Sequence, residues 1–124
     1  MITQIDVRDV LTQLGHGRPD LVTRPTGRAV RTSIEEALAR LTGHATVVLD
    51  FSDVRIIDCS CADEIVAKLV RAALAAEDLD AEFLLRGLHA EQISDIEEVL
   101  RQQSLLLVAA LDGMLRVVPS ATAA

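Results

Sequence analysis

Acidic, hydroxyl and thiol side chains crowd one short stretch of the chain, between residues 50 and 63. Such groups could hold a cation, act as a general acid and base, attack as nucleophiles or accept a phosphate. The candidate site residues of the stretch are Asp50, Asp53, Asp58, Cys59, Ser60, Cys61 and Asp63. Asp50 and Asp58 are the carboxylates that could act as an acid–base pair or hold Mg²⁺. At the two ends of a tight loop, however, such carboxylates are more typical of loop capping.

The two cysteines of the chain, Cys59 and Cys61, are separated by one residue. This spacing is poor for an unstrained disulfide, and two thiols are too few for a tetrahedral zinc site. A helix N-terminus activates a nearby thiol, whereas neighbouring acids oppose its activation. A thiol redox switch is therefore one interpretation of the stretch.

Ser60 stands three residues before Asp63, which is the spacing of a capping box at a helix N-terminus. In a structural interpretation, Ser60 and Asp63 cap the helix, while Asp58 favours the positive end of its dipole. In a regulatory interpretation, the Ser60 hydroxyl carries a phosphate, whose charge beside Asp58 and Asp63 disturbs a docked partner.

Motifs of the common enzyme classes are absent from the sequence. The chain has no G-x-x-x-x-G-K-[ST] or G-x-G-x-x-G phosphate loop, no G-x-S-x-G and no H-E-x-x-H. Its three histidines are far apart, so no metal-ligand pattern is visible. We therefore expect a protein that is not an enzyme and that uses no metal or cofactor.

Composition restricts the class of protein and its surroundings. The chain has 124 residues, half of them hydrophobic, which suits one domain with one core. A net charge of −7 and only two aromatic residues argue against nucleic-acid binding. No apolar run approaches the roughly 20 residues of a membrane span, and the N-terminus lacks the pattern of a secretory signal. We expect a cytoplasmic protein without membrane insertion.

Apolar periodicity predicts the elements that position the acidic stretch. A helix over 6–14 begins at Asp6 as N-cap, although a strand from Ile2 is an open alternative. Pro25 favours an extended conformation at the residue before it, and Thr26 is the expected N-cap of the next helix. The further predicted segments are an extended stretch at 21–24, helices at 26–41, 60–77 and 90–103, and strands at 45–51, 82–86, 105–111 and 115–118.

The alternation of strands and helices predicts an α/β fold. Crossover helices of this length imply a mainly parallel sheet, and Asp112-Gly113 predicts a C-terminal β-hairpin. We expect one domain over residues 1–119, with a mixed sheet of four to five strands and three to four helices, and a disordered tail at 120–124. Ligands of such sheets bind beyond the carboxyl ends of the strands, where the acidic stretch lies.

The sequence around this stretch resembles a known family. Residues 47–60, VVLDFSDVRIIDCS, resemble the signature of STAS domains, the sulphate-transporter and anti-sigma-factor-antagonist family. The continuation SCADE at 60–64 is similar to the Ser-Phe-Ala-Asp-Glu motif of an uncharacterised bacterial STAS-like family. In that family a Ser/Thr-Arg pair opens the preceding helix, and Thr23-Arg24 matches it.

The resemblance implies a non-enzymatic protein-interaction module of bacterial signalling and transcription regulation. The implied partner is an anti-sigma factor, a serine kinase, or a host ATPase or transporter component, bound through the loop and helix N-terminus at Ser60. Some STAS domains are switched by phosphorylation of the serine that follows the loop aspartate. Here Cys59 occupies that position, so Ser60 is the candidate phosphorylation site, and Cys61 replaces the phenylalanine of the STAS-like motif.

Other functions remain open at the level of sequence. Arg24 and Arg28 could join the same loop to bind an anion, which would make the chain a small-ligand or nucleotide sensor. The thiol redox switch at Cys59 and Cys61 is a further alternative. A homodimer is an open alternative to a monomer.

Overall fold

Strands and helices alternate along the chain in a computed structural model, which describes residues 1–120. The strands are β1 (Ile2–Asp6), β2 (Asp20–Leu21), β3 (Gly43–Asp50), β4 (Ile56–Ile57), β5 (Leu79–Arg86), β6 (Leu105–Ala109) and β7 (Leu115–Pro119). The helices are α1 (Val7–Gln13), α2 (Arg24–Leu38), α3 (residues 59–75) and α4 (Ala90–Gln102). Of the predicted tail, residues 121–124 lie outside the described residues, while the Ser120 N–H donates a hydrogen bond to the Ser104 carbonyl (2.9 Å).

Five strands form the main sheet in the order β1-β3-β5-β7-β6. β1, β3 and β5 are parallel, whereas β7 runs antiparallel between β5 and β6. The predicted α/β fold with a mixed five-stranded sheet, four helices and a C-terminal hairpin is confirmed. A second, two-stranded parallel sheet of β2 and β4 was not predicted, because strands of two residues have no readable periodicity.

The helices pack against one face of the main sheet. Successive side chains of a strand point to opposite faces of the sheet. The side chains on one face belong to a single apolar cluster that also contains buried residues of all four helices. The buried members of this cluster from the main sheet are Val47, Leu49, Phe83, Leu85, Leu105 and Val117. Val48 and Leu84 are buried on the opposite face and lie outside the cluster. No helix covers that open face in the part of the chain that the structure describes.

Helix α2 begins earlier than predicted. Its N-cap is Thr23 rather than Thr26, so Arg24 and Pro25 lie inside its first turn. Proline is compatible with this turn because the N–H groups there have no intrahelical acceptor. The helix ends at Leu38 rather than at Leu41.

Helix α3 lies where the sequence predicts a helix, but its cap and its interior differ. Its segments Cys59–Ala62 and Leu69–Ala75 are α-helical and flank a π-helical segment, Asp63–Lys68. The predicted Ser60–Asp63 capping box is wrong, because Asp58 is the N-cap and accepts a hydrogen bond from the Cys61 N–H. An aspartate at this position reaches the N–H of the third helical residue without any help from Ser60.

Both alternatives for the first residues are present in succession. β1 ends at Asp6, which then serves as the N-cap of α1 and accepts a hydrogen bond from the Asp9 N–H (3.2 Å). At the other end of the chain, the hairpin turns where predicted, with positive φ values at Asp112 (58°) and Gly113 (74°). β6 ends at Ala109, because the tight turn Leu111–Gly113 takes the last residues of the predicted strand.

Candidate functional site

Asp58 joins the N-termini of α2 and α3. Its Oδ2 accepts a hydrogen bond from the Thr23 N–H (2.7 Å), and its Oδ1 accepts from the Ser60 hydroxyl (2.8 Å) and the Cys61 N–H (2.8 Å). The Asp58 N–H in turn donates to the Leu21 carbonyl (2.9 Å) beside the small sheet. Burial opposes ionisation of Asp58, but the donors from Cys61 and Thr23 outweigh it and hold its pKa below the usual value.

Asp50 closes a separate turn at the carboxyl end of β3. Its Oδ1 accepts hydrogen bonds from the Ser52 N–H (2.8 Å) and hydroxyl (2.5 Å), and its Oδ2 accepts from Gln4 Nε2 (3.3 Å). Burial opposes ionisation of Asp50, yet the bonds from Ser52 lower its pKa. Asp53 is exposed in the same turn. Asp50 and Asp58 thus each accept several hydrogen bonds in their own turns, which is typical of loop capping.

The two thiols lie in opposite environments. Cys59 is exposed, whereas Cys61 is buried and donates to the Thr23 carbonyl (3.2 Å). Burial, aided by the negative charge of Asp58, raises the pKa of the Cys61 thiol to about 12. Cys61 is therefore protonated at neutral pH, and thiol chemistry of the folded chain is confined to Cys59.

A shallow groove lies between the N-terminus of α3 and the last turns of α4. We call it the Ser60 groove, and its lining residues are Arg24, Cys59, Ser60, Asp63, Glu98, Val99, Gln102 and Gln103. Asp63 Oδ1 accepts a weak hydrogen bond from Gln103 Nε2 (3.4 Å), which links α3 to the end of α4. The structure thus gathers Cys59, Ser60, Asp63 and Arg24 in one groove, as the sequence suggested for the first three and, in the sensor interpretation, for Arg24.

The two arginines of the predicted anion site lie in different surroundings. The Arg24 guanidinium donates to Asp63 Oδ2 (2.9 Å) and Glu64 Oε2 (2.5 Å). Arg28 is exposed and lines another groove, beside Pro25 and away from Ser60. The structure therefore does not bring Arg24 and Arg28 together around a common ligand.

Glu64 is a functional-site neighbour that sequence reasoning missed. Its side chain is fully buried and accepts hydrogen bonds from Arg24, from Arg31 Nε (3.1 Å) and from Lys68 Nζ (2.7 Å). Burial opposes its ionisation, but the bonds from Lys68, Arg24 and Arg31 outweigh it and lower its pKa to about 2. The spacing of four residues between Glu64 and Lys68 is typical of an ion pair on one helix and could have been read from the sequence. The two arginines could not be found in this way, because both come from another helix.

Gln92 is a second residue that the sequence did not single out. It is nearly buried, and its Nε2 donates to the carbonyls of Val54 (3.3 Å) and Arg55 (3.2 Å). Its Oε1 accepts from the His89 N–H (3.2 Å) at the start of α4. Gln92 thus fastens the loop after β3 to helix α4. A glutamine in the first turn of a helix is the signal that could have found it.

Residues 1–120 contain neither a metal-binding cluster nor a membrane-spanning helix. No group of three or more histidine, cysteine, aspartate or glutamate residues in this range could hold a metal ion. None of the helices described there is long and apolar enough to cross a membrane. No family model matches the sequence, and neither a curated protein nor a solved structure matches it.

Proposed function

We propose that this chain is a STAS-like protein-interaction module of bacterial regulation, which binds a protein partner through the Ser60 groove and catalyses no reaction. The observation that carries the proposal is the joining of two helix N-termini by Asp58, which leaves Cys59 and Ser60 at the edge of a shallow polar groove. The partner class that fits is an anti-sigma factor or serine kinase, or a component of an ATPase or transporter.

The chemistry of the groove favours a protein surface over a small molecule. Small-ligand sites are usually concave and mostly apolar, with a few polar groups that fix the ligand. The Ser60 groove instead presents one guanidinium, two carboxylates and two carboxamides around a single valine. Such a mixture of donors and acceptors is typical of the polar part of a protein interface.

Phosphorylation of Ser60 would regulate this interaction. A phosphate adds about −1.5 to −2 charges at neutral pH. At Ser60 that charge would stand beside Asp58, whose Oδ1 now accepts the Ser60 hydroxyl, and beside Asp63 in the same groove. The added charge therefore changes the groove from mixed to strongly acidic and weakens binding of an acidic or apolar partner surface.

The exposed thiol allows a direct test of the groove. A thiol-reactive photocrosslinker should attach selectively to Cys59 of the folded chain, because Cys61 is buried with a raised pKa. In native lysate we expect one dominant crosslinked protein, identified by mass spectrometry. The matched control is Cys59→Ser/Leu74→Cys, which moves the label to an exposed position near the far end of α3 (48% exposed). The same set of crosslinks from both positions would refute the groove as the contact surface.

The purified partner then tests the regulation. We expect Ser60→Asp to raise the Kd at least about tenfold, which corresponds to about 1.4 kcal/mol, while Ser60→Ala binds like the wild type. Calorimetric titration measures both, and circular dichroism checks that each variant is folded. Equal affinity of Ser60→Asp and Ser60→Ala would contradict the phosphate switch. Whether the groove is the contact surface is tested separately, by the crosslinking experiment.

A further inference from the structure

Strand β6 forms one edge of the main sheet, and all five of its residues, Leu105–Ala109, are apolar. Natural edge strands usually carry charges, prolines or bulges that prevent pairing with another chain. β6 carries no charge and no proline, and its pairing with β7 runs through an unbroken register. The opposite edge, β1, contains Gln4 and ends on Asp6. β6 is therefore the unprotected edge of the sheet.

The register shows which backbone groups of β6 point outward. The Ser120 N–H donates to the Ser104 carbonyl and the Ala110 N–H donates to the Met114 carbonyl, both at 2.9 Å. Hydrogen-bonded and non-hydrogen-bonded pairs alternate in an antiparallel ladder, so the even-numbered residues of β6 bond to β7. The N–H and C=O groups of the odd-numbered residues consequently point away from β7. β6 has no other strand neighbour among residues 1–120.

Exposed apolar side chains accompany these backbone groups. Leu106 and Val108 are 40% and 38% exposed, and both lie on the sheet face that no helix covers. Leu111, in the turn that follows β6, is 82% exposed. Backbone pairing at this edge would therefore also bury apolar surface, which favours association.

We propose that β6 pairs antiparallel with β6 of a second copy of this chain, which joins two five-stranded sheets into one across a twofold axis at Leu107. In this register Leu107 faces its own copy, and Leu105 faces Ala109 of the second copy. The outward N–H and C=O groups of these residues then match one another as hydrogen-bonded pairs.

The side chains match in the same register. Leu106 of one copy lies opposite Val108 of the other on the open sheet face, so two apolar pairs form and no charges meet. A single charge at position 106 or 108 would lie opposite an apolar residue of the second copy, and like charges at both positions would face each other. The uncharged sequence of β6 avoids both, which is the argument for a second copy over another partner.

Charge substitutions on these two pairs test the interface. Leu106→Lys/Val108→Lys sets two lysine–lysine pairs across the twofold axis, whereas Leu106→Lys/Val108→Glu sets two lysine–glutamate pairs. By sedimentation equilibrium we expect a wild-type dimer, a dissociation constant raised about a hundredfold in the first variant, and one within about tenfold of wild type in the second. Ile2→Lys/Gln4→Lys, on the same face of the opposite edge strand, adds the same charge and should leave the dimer unchanged.

Amide exchange on the unmodified chain tests the same register without any substitution. At a protein concentration where nine-tenths of the chains are dimeric, exchange at the Leu105, Leu107 and Ala109 amides should slow about tenfold relative to dilute protein. The amides of Leu106 and Val108 already bond to β7 and should keep their rates. A wild type that stays monomeric up to several hundred micromolar, or a lysine–lysine variant that dimerises like the wild type, would overturn the proposal.

Discussion

Glu64 links α2 to α3 through a buried network of ion pairs. Its carboxylate is fully buried, yet it meets a cation from each side: Arg24 and Arg31 of α2, and Lys68 of its own helix. A buried charge is costly unless it is paired and hydrogen-bonded, and removing one partner of such a network leaves the others uncompensated. Arg24 also lines the Ser60 groove, so this network fixes one wall of the candidate site.

Glu64→Gln should lower the free energy of unfolding at pH 7 by about 2 kcal/mol. The effect is no larger because Arg24 and Lys68 are half-exposed, so that solvent screens their attraction to Glu64. The folded-state pKa of Glu64, about 2, lies below the usual glutamate value of 4.5. The stabilisation is therefore fully present above pH 4.5 and is lost as the pH falls through 2. Urea unfolding between pH 7 and pH 2 should show the difference between wild type and variant shrinking with acidity.

Glu35→Gln is the matched control for this prediction. Glu35 pairs with Arg31 at 3.1 Å, but its side chain is 35% exposed. Exposed pairs of this kind contribute about 0.3–0.5 kcal/mol. A Glu64→Gln variant no less stable than Glu35→Gln would show that the buried network contributes nothing beyond a surface pair.

Thr23 holds an unusual backbone conformation at the same junction. Its φ of 69° and ψ of 144° are rare for a β-branched residue. Three contacts maintain it: its N–H donates to Asp58, its carbonyl accepts from Cys61, and its hydroxyl contacts that of Thr26 (3.2 Å). The strained backbone lies where the two helix N-termini meet, beside the candidate partner surface.

Among the contacts between elements, Gly27 of α2 lies tightly against Cys61 and Glu64 of α3. A Cβ built there would lie 2.9 Å from the Cys61 Cα and 3.2 Å from the Cβ of Glu64. In an open helix, replacing glycine with alanine stabilises by about 1 kcal/mol. Here the contact is with backbone, which cannot rotate away, so the two helices have to separate.

We therefore expect Gly27→Ala to destabilise the fold by about 2 kcal/mol in thermal or urea unfolding, despite the better helix propensity of alanine. Gly17→Ala serves as the control, since nothing lies within 4 Å of a Cβ at that position. We expect this control to stay within about 0.5 kcal/mol of wild type. A stabilising Gly27→Ala would mean that α2 and α3 are free to move apart.

The loop after β3 depends on helix α4 through Gln92. Gln92→Leu keeps a similar volume but leaves the Val54 and Arg55 carbonyls without the carboxamide donor, which should cost about 2 kcal/mol. The Val54 amide, which bonds to the Phe51 carbonyl (3.0 Å), should then exchange faster. The exposed Gln102 of the same helix supplies the control, because Gln102→Leu removes no buried hydrogen bond. Unchanged exchange in Gln92→Leu would contradict this role.

At the scale of the whole molecule, the strand order determines which surfaces remain for partners. The insertion of β7 between β5 and β6 puts the uncharged β6 at the edge of the sheet. The helices cover one sheet face, and the Ser60 groove lies among their ends. The proposed protein partner and the proposed second copy therefore use different surfaces, so the two proposals can be tested separately.

Apolar periodicity and turn residues act over a few neighbouring positions, so they predicted the four helices, the strands β3, β5, β6 and β7, and the mixed sheet. They left β1 as an open alternative and missed the two-residue strands β2 and β4. Asp112-Gly113 predicted the hairpin by such a local signal, whereas the candidate site between Asp50 and Asp63 stays a prediction. The ends of the elements were predicted less accurately. With Pro25 in the chain, Thr26 was expected as the N-cap of α2, but the N-cap is Thr23. Ser60 was expected to cap α3, but Asp58 is its N-cap.

The long-range partners of the site residues follow from the packing of the folded chain. Glu64 meets Arg24 and Arg31 across 40 and 33 positions of chain, and Gln92 reaches Val54 across 38. Such contacts depend on how helices dock on the sheet, which no local spacing encodes. The same holds for the unpaired edge at β6, because the position of a strand in a sheet follows from the packing of the whole chain.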